Sequence, residues 1–319
     1  MTVNADLVAS AAERIRGHVR RTPLLLSEAF GRPLAIKSEH LQRSSSFKIR
    51  GAFSRLLTLD SPDVGVITAS TGNHGIGVST AGRELGVPVA VCVAQNTDAA
   101  IIERLKGLGA EVRIVASDDC ADAERAARRM AEEEGRSFVS PYNDPVVAAG
   151  QGSIAVELLE QLPEVGWDGV DAVVVAIGGG GLISGIATWL AHAAPNTRVV
   201  GAQPAVDAAM HASVLAGEII DIDASDTLSH STAGGIEDNA ITFPICRDLV
   251  TDWIDVEEDA IADAVRRMLF TEHQLVEGAA GVALAAGERF LAAEPDARVV
   301  VVSCGARLTP DELTHVLAH

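Results

Sequence analysis

The stretch AVVVAIGGGGLISG, residues 172–185, carries the strongest structural signal in the sequence. Its first six residues form a continuous apolar run, which is typical of a strand that is covered on both faces. Four consecutive glycines, Gly178–Gly181, follow this run, and an apolar helical pattern continues through residues 182–190. Glycines let backbone N–H groups approach an anion, and a helix N-terminus adds a favourable dipole. The stretch therefore predicts a strand, a phosphate-binding loop and a helix.

The glycine loop does not match the common nucleotide-binding motifs. Neither Ile183 nor Ser184 supplies the third glycine of a GxGxxG motif, and no GK[ST] ending follows the loop. A nucleotide-dependent dehydrogenase therefore has little support. A tight turn would explain one glycine with a positive φ, but it does not require four in a row. We expect the loop to bind a phosphate that belongs to neither NAD nor ATP.

Other apolar runs resemble the first strand and alternate with helical patterns. The predicted strands cover residues 64–70, 88–94, 111–116, 172–177, 198–203 and 298–304. Amphipathic helices are predicted over residues 74–85, 98–109, 118–134 and 257–274. The alternation predicts an α/β fold of open parallel sheets, and 319 residues favour two domains. Gly and Pro cluster at residues 141–152 and a polar stretch covers residues 217–230, so we expect joints or loops there.

Charge and composition exclude several classes of partner. Lys and Arg number 25 against 44 Asp and Glu, and this net charge of −19 repels nucleic acid and anionic lipid. We therefore expect no nucleic acid or membrane partner and a cytoplasmic location, since no membrane span or signal peptide is recognisable. The four cysteines are widely separated and predict reduced thiols. His315 and His319 lack a third metal ligand, and we expect them to be solvated.

Two other predicted strands end in polar loops, where open parallel sheets bind their ligands. The first loop, Ser70–His74, presents hydroxyl, amide and backbone donors at a helix start and could bind a carboxylate. Alternatively, Ser70 or Thr71 only caps the helix. The second loop, in VVSCGARL (residues 301–308), places Ser303 and Cys304 after the last strand.

SSSFKIRGA, residues 44–52, places Lys48 between Phe47 and Ile49 at the predicted start of a helix. A lone lysine at such a place is usually solvated. A desolvated lysine with a lowered pKa, however, can form a Schiff base with an aldehyde. Pyridoxal 5'-phosphate is the phosphate-bearing aldehyde cofactor that would use both Lys48 and the glycine loop.

Six segments together resemble the fold-type II pyridoxal-phosphate enzymes, in particular the serine/threonine dehydratase (threonine ammonia-lyase) and serine racemase family. They are, in the family's order, SSSFKIRGA, STGNHGIG, PYNDPVVAAGQGS, GGGGLISG, VEGAAGVALA and VVSCG. The resemblance implies a tryptophan synthase β-like fold. Residues 1–61 and 144–319 would form a large cofactor-binding domain, and residues 62–143 a smaller inserted one. We also expect a homodimer or homotetramer.

The resemblance assigns roles to the candidate site residues. Lys48, beside Phe47, would bind the cofactor covalently and act as general base for the Cα proton of an amino-acid substrate. The substrate carboxylate would bind to Ser70, Thr71, Gly72, Asn73 and His74. The remaining cofactor contacts would be Gly178, Gly179, Gly180 and Gly181 to the phosphate, Asn73 to the 3-oxygen and Ser303 to the ring nitrogen. Glu277 would either lie near the cofactor or cap the next helix.

The implied reaction is β-elimination from a threonine- or serine-like β-hydroxy-L-amino acid, which gives a 2-keto acid and ammonia. Ser303 cannot hold the ring nitrogen protonated as an aspartate would, and this favours prompt loss of the β-substituent. Gln203 and Ala209 replace the Glu and Asp of metal-activated relatives, so we expect no metal at that place.

Alternatives remain open at this stage. Thr71 stands where many dehydratases have Ala and serine racemases have Ser, so it is a candidate acid for racemisation. The surroundings of Thr71 also resemble dehydratases of hydroxyectoine breakdown, and substrates of the 3-hydroxyaspartate or phenylserine type are further candidates. A cysteine-synthase-type β-replacement enzyme is the closest rival within enzymes. A catalytically silent sensor is less favoured, because Lys48 is present.

Overall fold

The computed structural model describes residues 2–30 and 33–318, without the side chain of Cys120, and His319 lies outside this part. The strands are β1 Leu24–Leu26, β2 Leu34–Lys37, β3 Val66–Ala69, β4 Val89–Ala94, β5 Glu111–Val115, β6 Ser137–Phe138, β7 Ala172–Ala176, β8 Arg198–Pro204, β9 Asp252–Val256 and β10 Val299–Val302. The helices are α1 Ala5–Arg14, α2 Lys48–Leu56, α3 Asn73–Leu85, α4 Ala99–Gly107, α5 Cys120–Glu134, α6 Pro145–Gln161, α7 Gly181–Ala193, α8 Ala209–Ala216, α9 Thr242–Leu249, α10 Glu258–Phe270, α11 Gly278–Ala293 and α12 Pro310–Ala318.

The strands form two separate sheets. The larger sheet has the order β1-β2-β10-β7-β8-β9, in which β1 runs antiparallel to β2 and the other neighbours are parallel. The smaller sheet has the order β5-β4-β3-β6 and is parallel throughout. The predicted fold class, α/β with two open parallel sheets, is therefore confirmed. The strands β3 to β6 lie within residues 62–143, and the boundaries of the inserted domain stay a prediction.

Central strands and the helices around them form the core. Every residue of β7 and β10 is buried, as the continuous apolar runs predict, and α11 packs on both strands. The helix α2 packs on α3, which belongs to the smaller sheet, and on α6, which packs on α7 of the larger one. The residue at the start of α2, Lys48, is therefore held where the two halves meet.

The predicted loop over residues 141–152 is wrong from Pro145 onward, because α6 begins there. Asp144 caps this helix, accepting hydrogen bonds from Val146 N at 2.7 Å and Val147 N at 3.1 Å. Proline is well suited to a first helical position. Small residues then allow close packing, since a Cβ on Gly150 would lie 2.6 Å from the Ser54 Cβ of α2.

Among the helices of the described residues, none is long and apolar enough to cross a membrane. The cytoplasmic location and the homodimer or homotetramer stay predictions.

Candidate active site

Lys48 lines two neighbouring cavities. The first, the glycine-loop cavity, has a volume of about 180 Å³ and is lined by Gly178–Gly181 and by Phe47, Asn73 and Glu277. The second, the Ser70–His74 cavity, has a volume of about 240 Å³ and is lined by those five residues and by Arg307. The structure thus brings the predicted cofactor and substrate residues together around one lysine.

The surroundings of the Lys48 amine favour its neutral, nucleophilic form. Burial lowers the pKa of Lys48 to about 8, and the nearby Glu277 carboxylate opposes this shift. Burial also raises the pKa of the Cys304 thiol well above its usual value, so the thiol supplies no negative charge near neutral pH. Lys48 Nζ donates a hydrogen bond to Pro141 O at 3.1 Å and lies 5.1 Å from the centre of the Phe47 ring. The carbonyl of Pro141 positions the amine. Because this carbonyl carries no charge, it does not hold Lys48 in the protonated, unreactive form as a carboxylate would.

The glycine loop lies too close to its neighbours to accept side chains. A Cβ on Gly179 would lie 2.5 Å from Cγ of Tyr142, and Gly180 has a φ of +81°. No side chain caps α7, which begins at Gly181. The first N–H groups of this helix are thus left for an anion, as the sequence predicts.

The Ser70–His74 loop presents a second helix start without a side-chain cap. The helix α3 begins at Asn73 and Gly72 occupies its cap position, which does not fit the alternative that Ser70 or Thr71 only caps the helix. Ser70 Oγ instead accepts a hydrogen bond from Gly72 N at 3.1 Å. By contrast, Asp98 and Asp119 cap α4 and α5 on the same sheet. The uncapped donors of α3 suit a carboxylate.

His74 is buried in this loop as a neutral ring. Burial, together with the nearby Lys48, lowers the pKa of His74 to about 3. Its Nε2 lies 3.1 Å from Val139 O, and because a carbonyl only accepts, Nε2 carries the proton. The imidazole is therefore a poor acid at neutral pH, and it ties the loop to the chain after β6.

Glu277 connects three segments at the cavity wall. It occupies the position before α11 but makes no capping hydrogen bond with its side chain. Its carboxylate accepts hydrogen bonds from Asn73 Nδ2 at 2.8 and 3.0 Å, from Ser231 Oγ at 2.7 Å and from the backbone N of Arg307 at 3.0 Å. The sequence leaves open whether Glu277 lies near the cofactor or caps the next helix. The structure supports the first interpretation, since Glu277 lines the glycine-loop cavity and its side chain does not cap α11. Asn73 is oriented by this carboxylate, and its Oδ1 has no partner among the described residues.

Ser303 lies at the end of β10, beside the cavity rather than in its lining. Its hydroxyl is fully buried and has no hydrogen-bond partner among the described residues, whereas the next residue, Cys304, lines the glycine-loop cavity. A buried hydroxyl without a partner is costly unless a ligand satisfies it. Together with the uncapped glycine loop and the desolvated Lys48, it fits a phosphorylated pyridine aldehyde.

Three residues of the site have no role in the sequence-based prediction. Tyr142 packs its ring on the glycine loop, Ser231 donates to Glu277, and Arg307 lines the Ser70–His74 cavity. Tyr142 lies in the quoted PYNDPVVAAGQGS segment and Arg307 in the quoted VVSCGARL stretch, but neither pattern gives the residue a task. Ser231 follows a polar stretch that is expected to be a loop, and nothing in its sequence surroundings indicates that it folds back onto α11.

The place of the family's metal site holds a satisfied amide in this chain. The buried Gln203 donates from Nε2 to Ile177 O at 3.2 Å and accepts at Oε1 from His211 N at 2.8 Å. Ala209 is buried at the start of α8. Within residues 2–30 and 33–318, no group of three or more His, Cys, Asp or Glu side chains could hold a metal ion. The expectation of no metal stays a prediction.

Comparisons with known proteins agree with this geometry. The sequence profile of the family described as "Pyridoxal-phosphate dependent enzyme" matches residues 15–305. An L-threonine ammonia-lyase of Geobacter sulfurreducens is 40% identical over 286 residues, which cover 88% of this chain and 69% of that protein. A serine racemase of Arabidopsis thaliana is 36% identical over 292 residues, or 88% of this chain and 85% of that one.

A solved structure of maize serine racemase superposes with a TM-score of 0.89 at 30% identity, covering 100% of this chain and 98% of the maize chain. The predicted fold type and the predicted cofactor are thereby confirmed. The chain belongs to the family of pyridoxal-phosphate-dependent enzymes, and within it to fold type II.

Proposed function

We propose that this chain, a pyridoxal-phosphate-dependent ammonia-lyase, removes water and then ammonia from a β-hydroxy-L-amino acid. The observation that carries the proposal is the position of Lys48 between a cavity with anion-binding glycines and a cavity with uncapped carboxylate-binding donors. A cofactor on one side and an amino acid on the other would both be within reach of this amine. The L-threonine ammonia-lyase among the relatives supports the same class of reaction.

Each group of the site has a proposed task. The N–H groups of Gly178–Gly181 would hold the cofactor phosphate, and Ser303 and Asn73 would face polar atoms of its ring. When bound, pyridoxal phosphate supplies an electron sink for the bonds at the substrate Cα. The Ser70–His74 loop would bind the substrate carboxylate and so fix which Cα bond faces Lys48.

Lys48 would move the proton in the elimination. The Cα–H bond breaks as its proton passes to the neutral Nζ of Lys48. The Cβ–O bond breaks as the hydroxyl group takes up a proton from the resulting Lys48 ammonium and leaves as water. The remaining enamine then hydrolyses to the 2-keto acid and ammonia. A lysine pKa of about 8 leaves an appreciable neutral fraction near physiological pH, whereas an ordinary lysine would be almost fully protonated.

Racemisation is the second candidate, because the serine racemase of Arabidopsis thaliana is among the relatives and Thr71 lines the same cavity as Lys48. The Thr71 hydroxyl would then return a proton to the opposite face of Cα. Unlike serine, threonine carries a methyl group that would hinder the approach of its hydroxyl to Cα. We therefore propose that elimination is faster than racemisation.

A substrate panel tests the proposal directly. The purified holoenzyme is incubated with L-serine, L-threonine, 3-hydroxyaspartate and phenylserine, while keto acid, ammonia and D-enantiomer are measured in parallel. We expect keto acid and ammonia in equal amounts, in excess of any D-enantiomer. Adding sulfide distinguishes β-replacement: a thiol amino acid formed in place of keto acid would contradict the proposal.

The glycine loop yields a prediction about cofactor affinity. Gly179→Ala is expected to weaken pyridoxal phosphate binding by about 10-fold or more, because the new Cβ would displace the Tyr142 ring and with it the loop. Gly107→Ala is the matched control, since no atom lies within 4 Å of a Cβ at that position. The dissociation constant is measured by absorbance titration of the apoenzyme. Equal affinities of the two variants would show that the loop tolerates a side chain.

Gln203 leads to a prediction about metal dependence. Because its amide already satisfies Ile177 O and His211 N, we expect neither activation by Mg²⁺ nor loss of activity with a chelator. Keto acid formation is measured after EDTA treatment and after Mg²⁺ is restored. Gln203→Glu, which offers a carboxylate at the same place, is the informative comparison. A clear loss with EDTA that Mg²⁺ reverses in the wild-type enzyme would overturn the prediction.

A further inference from the structure

Arg307 is an unpaired cation in the wall of the Ser70–His74 cavity. Its guanidinium makes no hydrogen bond or ion pair within the described residues, and its Nε is buried. Three other described arginines, Arg83, Arg104 and Arg129, also lack such partners, but all three are exposed to solvent. Arg307 as a whole is half-buried, and a partly desolvated guanidinium without a partner favours the binding of an anion.

The position of the guanidinium relates it to the substrate. Its Nη2 lies 2.8 Å from the place that a Cβ on Gly72 would occupy, so it lies directly against the middle of the loop that is proposed to bind a carboxylate. A side chain larger than hydrogen at Gly72 would push the guanidinium away. The glycine thus keeps this cation at the edge of the cavity that Lys48 also lines.

Arg307 differs from the other basic residues in the described lining of this cavity. Burial lowers the pKa of Lys48, and His230 forms an ion pair with Glu312, which raises the pKa of His230. The acidic residue in the lining is Glu124, which forms an ion pair with Arg128 at 2.7 Å. The guanidinium of Arg307 is therefore the group of this lining that would attract an anion in a chain with a net charge of −19.

A single carboxylate does not account for this charge. The α-carboxylate of an amino acid would be satisfied by the uncapped N–H groups at the start of α3, which leaves the guanidinium unpaired. We propose that Arg307 binds a second carboxylate, carried by the substrate side chain, and that the preferred substrates are acidic β-hydroxy amino acids of the 3-hydroxyaspartate class. This inference rests on the proposed function and names the substrate class of the same site.

The guanidinium suits this task because its planar N–H groups can bind a carboxylate through two hydrogen bonds. The specificity is measured as the ratio of kcat/KM for 3-hydroxyaspartate to that for L-serine. We expect Arg307→Met, which keeps an apolar stem but no charge, to lower this ratio by about 10- to 100-fold. Arg307→Lys should recover part of the ratio, and the solvent-exposed Arg129→Met is the control that leaves it unchanged. If Arg307→Met lowers both kcat/KM values equally, Arg307 serves the α-carboxylate and the inference fails.

Binding without turnover separates this inference from the proposed function. Succinate and butyrate have the same number of carbons but two carboxylates and one, and each is titrated into the holoenzyme while its unfolding temperature is followed. We expect wild-type enzyme to bind succinate at least 10-fold more tightly than butyrate, and Arg307→Met to lose this preference. If succinate is preferred but no amino acid yields keto acid, the proposed function fails and the Arg307 site stands. If serine yields keto acid but succinate is not preferred, the inference about Arg307 is overturned.

Discussion

Replacing Lys48 with alanine is expected to lower keto acid formation by about 10³-fold or more, because one change removes both the covalent cofactor anchor and the proposed base. The structure leaves little room for a substitute. The other titratable groups that line the two cavities include His74, which its lowered pKa keeps neutral, and Glu277, which is engaged by Asn73, Ser231 and the backbone of Arg307. The measurement is the rate of keto acid release from the best substrate of the panel.

Covalent attachment is followed in the same preparations. Borohydride reduction should fix the cofactor to wild-type protein at the peptide that contains Lys48, and to no peptide of the variant. Lys106→Ala is the matched control, since Lys106 lies on the exposed surface of α4, paired with Glu103 at 2.9 Å. A borohydride-stable cofactor adduct in Lys48→Ala protein would mean that another amine is the anchor.

Replacing Arg50 with methionine is expected to lower the free energy of unfolding by about 3–5 kcal/mol, the typical cost of removing one partner from a buried ion pair. Arg50 is fully buried in the helix that begins with Lys48. It donates to Glu39 at 2.7 and 2.8 Å, to Glu157 at 2.7 and 2.8 Å, and to Ser153 at 3.1 Å. Without it, the fully buried carboxylate of Glu39 loses its main counter-charge.

Chemical denaturation at a fixed cofactor concentration measures this loss, because bound cofactor adds to the apparent stability. Arg55→Met is the control on the same helix. Arg55 binds Asp144 at 3.0 Å, but its side chain is 23% exposed, so we expect a cost of about 1 kcal/mol or less. If the two variants lose equal stability, the buried network does not anchor α2.

The parts of the fold that sequence reasoning predicted well are those with strong local patterns. The sequence predicts the buried strands β7 and β10 and the glycine loop after β7. Each of these features is specified by residues that are neighbours in the sequence. The strands without such runs were missed. For example, β6 has only two residues. The strand β9 has the sequence DWIDV, in which two aspartates interrupt the apolar pattern that predicts a buried strand. Their pairing with distant strands is a tertiary effect that local propensity does not contain.

The site divides in the same way. Lys48 and the Ser70–His74 loop are visible in short segments, and the structure places both at one pair of cavities. Gly72 and Arg307 are more than 200 positions apart in the sequence but lie against each other in the structure. No local pattern in the sequence predicts this proximity. The sequence also leaves open whether Ser70 caps α3, because a hydroxyl before a helix can accept a hydrogen bond from the loop instead of from the helix.

The strand order of the larger sheet has a consequence for how the chain folds during synthesis. The strand β10, which is the last in chain order, lies between β2 and β7. Residues 34–37 of β2 therefore cannot form their parallel pairing with residues 299–302 until nearly the whole chain has been made. The smaller sheet needs only residues 66–138 and can form while the rest of the chain is still being made. Long-range parallel pairing of this kind is slow and leaves apolar strand edges exposed. We therefore expect the larger sheet to be prone to aggregation until its final strand, β10, has emerged.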